Sequence, residues 1–186
     1  MKKITLIAFG IMLFGTTLVS CKKDKPEEND EELITTMRLT FVPVGAGNTV
    51  TYQFDDADGP GGAAATQQEI VLAPSKTYNV TLQLLNRTVT PVDDITLEVA
   101  AEAGAHRFYY LPTAGSNISV SGFDNDPAGV PLGITSTWTT GAAATGKVTV
   151  TLRHYAGTPP GKAVADLVNS TKSSTDIEVV FDSRIQ

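Results

Sequence analysis

From residue 33 onward, polar and apolar side chains alternate in short runs, the period of two expected of strands with one buried face. Residues 77–84 carry the clearest case, with Tyr78, Val80, Leu82 and Leu84 on one side and Thr77, Asn79, Thr81 and Gln83 on the other. The run 147–153 repeats it through Val148, Val150 and Leu152, and 176–181 through Ile177, Val179 and Phe181. Six further segments follow the same rule: 36–44, with Met37, Leu39 and Phe41 inward, then 50–54, 69–73, 107–111, 118–123 and 134–140 around Trp138. Turn-rich pieces separate them, among them Gly45-Ala46-Gly47-Asn48 and Thr158-Pro159-Pro160-Gly161. About nine short strands with little helix predict an all-β chain folded as an antiparallel β-sandwich.

One segment breaks the rhythm. Residues 93–104 open on two aspartates able to cap a helix and close on Gly104, with alanines between, and predict one short helix of two or three turns. A strand competes there, because Ile95, Leu97 and Val99 also alternate.

The first twenty residues belong to a different pattern. Lys2 and Lys3 precede an apolar stretch from Ile4 to Leu18, and the run ends Leu18-Val19-Ser20-Cys21, with small residues before the chain's single cysteine. The stretch is short for a lasting membrane span, and it resembles a bacterial lipoprotein signal. That resemblance implies diacylglyceryl transfer to Cys21 and cleavage after Ser20. Several acyl chains hold a protein to a bilayer far more firmly than one, so the body is expected to work tethered to a membrane through Cys21. The domain plan is a signal peptide over 1–20, a lipidated acidic tether over 21–32 and a β-sandwich domain over 33–186.

Composition narrows the chemistry. With Cys21 committed to lipid, no thiol remains for a disulfide, a thiolate metal site or catalysis, so the fold must rest on packing. Cleavage leaves 166 of the 186 residues, enough for one self-sufficient core. Loss of Lys2 and Lys3 leaves twelve basic against twenty acidic residues, a net charge of −8 in place of −6. An acidic body argues against nucleic acid as a partner. Residues 22–32, reading KKDKPEENDEE, offer nothing to bury and suit a solvated spacer. Lys22 stands where an inner-membrane retention signal would place Asp, and the charged stretch is similar to the tether of Bacteroidota lipoproteins. Outer-membrane attachment is expected, with the periplasmic and cell-surface leaflets both open.

Three groups of residues carry candidate chemistry. Asp55, Asp56 and Asp58 precede Gly59 in a loop that could offer carboxylate oxygens to calcium, echoed by Asp124 and Asp126. Counted from Asp56, an EF-hand loop would need ligands where Pro60 and Gln67 stand, so a hairpin loop using Asp and Gly for turn geometry competes. Glu98, Glu102 and His106 are spaced by four and would share one helix face if the helix ran on past Gly104. With His154, at the end of a strong strand, they form a candidate site for zinc or copper, provided the imidazoles and carboxylates converge to within about 8 Å. The third group is aromatic. Trp138, Tyr109, Tyr110 and Tyr155 could form a sugar platform, and Phe108-Tyr109-Tyr110 in a strand must send neighbours to opposite faces, leaving at least one ring exposed. Gly-x-Ser-x-Gly and His-Glu-x-x-His motifs are absent from the sequence, which favours a non-enzymatic reading.

The stretches Ile34-Thr35-Thr36-Met37-Arg38-Leu39-Thr40-Phe41, Phe54-Asp55-Asp56-Ala57-Asp58-Gly59, Asp93-Asp94-Ile95-Thr96, His106-Arg107-Phe108-Tyr109-Tyr110, Val150-Thr151-Leu152-Arg153-His154 and Thr175-Asp176-Ile177-Glu178-Val179 resemble a group of small Bacteroidota lipoproteins without an established activity. Members often carry the label of a type 1 periplasmic-binding fold. That label implies a large two-lobed α/β protein, whereas the alternation described above implies strands. The expectation is therefore a lipid-anchored binding or accessory module for a metal or small ligand, beside an outer-membrane receptor. A structural or adhesion protein of the envelope, and a carbohydrate-binding or carbohydrate-active protein, are the alternatives.

Overall fold

In the computed structural model, residues 33–59 and 61–186 are described; the leader, Cys21 and the acidic tether lie outside them. Ten strands and one helix follow in order: β1 (Thr36–Pro43), β2 (Val50–Asp55), β3 (Thr66–Gln67), β4 (Ile70–Leu72), β5 (Thr77–Leu85), α1 (Ile95–Ala101), β6 (His106–Pro112), β7 (Ile118–Ser121), β8 (Thr135–Thr140), β9 (Ala144–Tyr155) and β10 (Ser173–Ile185). One sheet has six strands in the order β3-β2-β1-β5-β8-β7, and the other has four in the order β4-β10-β9-β6. The fold is all-β and sandwich-like, as the alternation predicts.

The inner faces are the apolar halves of the alternating runs. In the six-stranded sheet, Leu39 lies between Tyr52 and Leu82, and Phe41 between Val50 and Val80. Opposite them, Val150 lies between Val179 and Tyr110, and Leu152 between Ile177 and Phe108. Phe41 meets Trp138 edge-on with ring centroids 5.1 Å apart, and Trp138 in turn meets the edge of Tyr110 at 5.9 Å. Trp138 is fully buried, and its indole N–H donates to Ser136 Oγ at 3.0 Å, so no polar group is orphaned. Burial of each such side chain stabilises the fold by roughly 1.5–3 kcal/mol.

Four features depart from the expectation. The sheets are not antiparallel throughout, because β4 pairs with β10 in parallel, with Ile70 opposite Ser183 and Leu72 opposite Ile185. The chain leaves β3 at the edge of one sheet and enters the other as β4, so the C-terminal strand meets a neighbour running its own way. Strand β3, only two exposed residues long, carries no apolar signal. Strands β9 and β10 run to 12 and 13 residues, longer than their apolar cores, because small and polar residues continue the ladder at both ends. Finally, Phe108, Tyr109 and Tyr110 are all buried. Tyr109 does face the outer side of the sheet, but the segment 156–172 covers it: its hydroxyl lies 2.7 Å from that of Tyr155 and donates to Asp166 O at 3.1 Å.

Helix α1 resolves the competition at residues 93–104. Ile95 and Val99, one turn apart, are buried, whereas Leu97 is 70% exposed; a strand would have put all three on one face. Asp94 caps the N-terminus by accepting from Thr96 N at 3.1 Å. Thr96 Oγ1 accepts from Leu84 N at 2.8 Å and ties the helix to the end of β5. The helix stops at Ala101, with Glu102 at its C-cap, and residues 102–105 turn the chain into β6.

Candidate metal centre

Strand β6 begins at His106, and its ladder with β9 places His106 directly opposite His154. Both continue the inward-facing rows, His106 with Phe108 and Tyr110, His154 with Leu152 and Val150, so both imidazoles stand at the end of the core beneath the C-terminus of α1. The rings stack with centroids 4.6 Å apart and planes inclined at 30°.

A carboxylate joins them through an irregularity in β10. Thr175 pairs with Arg153 and Ile177 with Leu152, so Asp176 is the extra residue of a β-bulge. Strict alternation back from Ile177 would turn Asp176 to the outer face. The bulge instead brings its Oδ2 to 4.0 Å from His106 Nε2, with both side chains almost fully buried. One ligand atom from each of His106, His154 and Asp176 lies within 4.8 Å of the others, the one such group of three or more His, Cys, Asp or Glu among the described residues.

The electrostatics suit ligation. His106 Nδ1 lies 3.2 Å from Glu102 O, an atom that can only accept, so the proton sits on Nδ1 and the lone pair of Nε2 faces Asp176. A backbone carbonyl behind a histidine is the usual device for orienting a metal ligand. Burial, followed by the neighbouring His154 and more weakly Lys162, lowers the His106 pKa from 6.5 to about 4 against the opposing pull of the Glu102 hydrogen bond. The ring is therefore neutral near pH 7, the form a metal requires. Zinc holds nitrogen and oxygen at about 2.0–2.2 Å, which puts tetrahedral neighbours about 3.4 Å apart, so small side-chain rotations close the set around an ion. Three protein ligands leave one position for water or an incoming group.

Beside this cluster lies a buried ion pair. Lys162 Nζ is 2.9 Å from Asp126 Oδ2, both side chains being 2–3% exposed. The same ammonium donates to Ala103 O at 2.6 Å, His106 O at 2.9 Å and Pro131 O at 3.4 Å. Asp126 Oδ1 accepts from the backbone of Ala128 and Val130, both at 2.9 Å. Burial raises the Asp126 pKa, but Lys162 and these two N–H groups outweigh it and hold the carboxyl below its ordinary value.

The residues singled out from sequence divide accordingly. His106 and His154 converge. Glu98 and Glu102 do not join them: both are exposed, and Glu102 contributes only its main-chain carbonyl, because the helix ends before the spacing of four can reach His106. Of the three carboxylates of the expected calcium loop, two are engaged elsewhere, and Asp56 Oδ1 is buried without a hydrogen-bond partner. Asp55 accepts from Thr36 Oγ1 at 2.5 Å and pairs with Arg87 at 3.0 Å, and Asp58 accepts from Ala63 N at 2.8 Å to close the turn. Asp56 accepts Gly59 N through its backbone at 3.1 Å and donates its own N–H to Thr35 O at 2.7 Å. Asp124, in the echo, accepts from Gly133 N and Thr135 N at 2.9 Å. Trp138, Tyr109, Tyr110 and Tyr155 are all buried and present no flat surface to a sugar. Asp176 was legible in sequence only as the first residue of a strand. Comparison with protein-family models, with curated proteins and with solved structures finds no match to this chain.

Proposed function

We propose that this protein is a lipid-anchored envelope lipoprotein and a non-enzymatic binding module that takes up a divalent transition metal at His106, His154 and Asp176. The observation that carries the reading is the convergence of two imidazoles and a carboxylate from three adjacent strands at one end of the core. Two nitrogens and one oxygen, without sulfur, suit Zn²⁺ or Cu²⁺ over Cu⁺, which prefers thiolate and thioether ligands. Burial of His106 and Asp176 favours holding an ion, while the half-buried His154 leaves a side for it to enter. The anchor rests on Leu18-Val19-Ser20-Cys21 behind the apolar leader, and it would set the domain on the outer membrane beside an uptake receptor.

Two experiments test the two halves. Isothermal titration of the metal-stripped protein with Zn²⁺ and Cu²⁺ is expected to give one ion per chain. Mass spectrometry of the mature N-terminus is expected to find acylated Cys21, and Cys21→Ala to release the protein from the membrane fraction.

A further inference from the structure

The segment 156–172 joins β9 to β10, and two of the three candidate ligands stand at its feet: His154 near the end of β9 and Asp176 near the start of β10. Two of the three ligands, His106 and His154, lie beside an arginine that grips this loop. Arg153, next to His154, donates to Ser170 O and Ser173 Oγ at 3.0 Å and also to Ser173 O and to Thr175 Oγ1, the residue before Asp176. Arg107, next to His106, donates to Ala163 O at 3.0 Å and to Val164 O and Asp166 O at 3.2 Å. Lys162 of the loop donates to the carbonyl of His106 itself. Apolar burial contributes little at the tip, where Val164 is 63% and Leu167 69% exposed. Polar contacts close the loop, and they fall on residues that adjoin the ligands and, through Lys162, on the carbonyl of His106.

Building on the metal reading above, we infer that metal occupancy and closure of the 156–172 loop are one coupled equilibrium, with Arg153 and Lys162 as the positioning residues that carry it. Opening the loop releases Lys162 from the carbonyl of His106 and Arg153 from Ser170 O, and so loosens the residues that hold the ligands in place. A ligand that binds only the closed form favours it by the factor 1 + [L]/Kd. The coupling is reciprocal: whatever holds the loop shut tightens metal binding by the same factor.

Hydrogen exchange of the mature protein in detergent, read on peptides spanning 157–172 with and without Zn²⁺, tests this directly. At a zinc concentration about 100 times Kd, exchange in the loop is expected to slow about a hundredfold, and His154→Ala to abolish the effect. Arg153→Lys, which keeps the charge and every ligand but loses the planar fork, is expected to weaken zinc binding about tenfold and to speed exchange in the loop of the zinc-free protein by at least the same factor. Calorimetric zinc binding with unchanged loop exchange overturns the coupling and leaves the metal site standing. Absence of zinc uptake overturns both.

Discussion

Asp176 lies 4.0 Å from His106 across the inner face of the four-stranded sheet because β10 carries one residue more than its neighbour β9. That extra residue turns a carboxylate inward and completes a group that the two histidines alone would leave short of a metal centre.

Asp176→Asn keeps the shape and removes the charge, and is expected to weaken zinc binding by at least about a hundredfold, beyond what loss of an outer hydrogen-bond partner costs a metal site. Glu98→Gln and Glu102→Gln are expected to leave zinc affinity unchanged, since neither side chain reaches the cluster. Titration calorimetry on the three variants separates this arrangement from the helix-face arrangement that spacing alone suggests.

Acid should weaken the metal-free fold through His106. The unfolded chain takes up a proton near pH 6.5, whereas burial and the neighbouring His154 keep the folded ring neutral to about pH 4. The unfolded state therefore binds more protons in that window, and stability falls as pH drops through it, by about 3 kcal/mol in all. Urea unfolding in the presence of a chelator between pH 7 and pH 4 measures the slope, and His106→Gln should flatten it.

The Lys162–Asp126 pair predicts an asymmetry. Removing either partner strands a buried charge and should cost about 3–5 kcal/mol, whereas Lys162→Met combined with Asp126→Leu should cost less than the sum of the single changes. Urea unfolding of the two single variants and the double variant closes the cycle.

Trp138, the single tryptophan, is an internal reporter of the core. Its emission is expected to be blue-shifted in the folded protein and to move red in one step with urea. Trp138→Leu should destabilise the fold by about 3 kcal/mol, toward the lower end of tryptophan-to-alanine losses.

How much of this was legible in the sequence follows from what each feature depends on. The long runs 77–84 and 147–153 declare β5 and β9 because burial of one face forces a period of two. Asp94 marks the start of α1 because capping is a local matter, whereas the helix ends at its C-cap Glu102, two residues short of Gly104. Strand β3 and the parallel pairing of β4 with β10 left no trace, since both depend on which edge the chain meets. The candidate site was half legible. His106 and His154 are chemically conspicuous, but their partner is selected by a bulge, and a slip of one residue in register has no signature in the order Ser174-Thr175-Asp176-Ile177. Tyr109 showed the same limit: alternation set it on the face opposite Phe108 and Tyr110, and only the tertiary course of residues 156–172 buries it there.

The most direct test of the central claim is the zinc stoichiometry and affinity of the metal-stripped protein, measured beside His154→Ala and Asp176→Asn. One zinc per chain, lost or greatly weakened in both variants, is the predicted result; no uptake, or uptake indifferent to both substitutions, would contradict a metal centre at His106, His154 and Asp176.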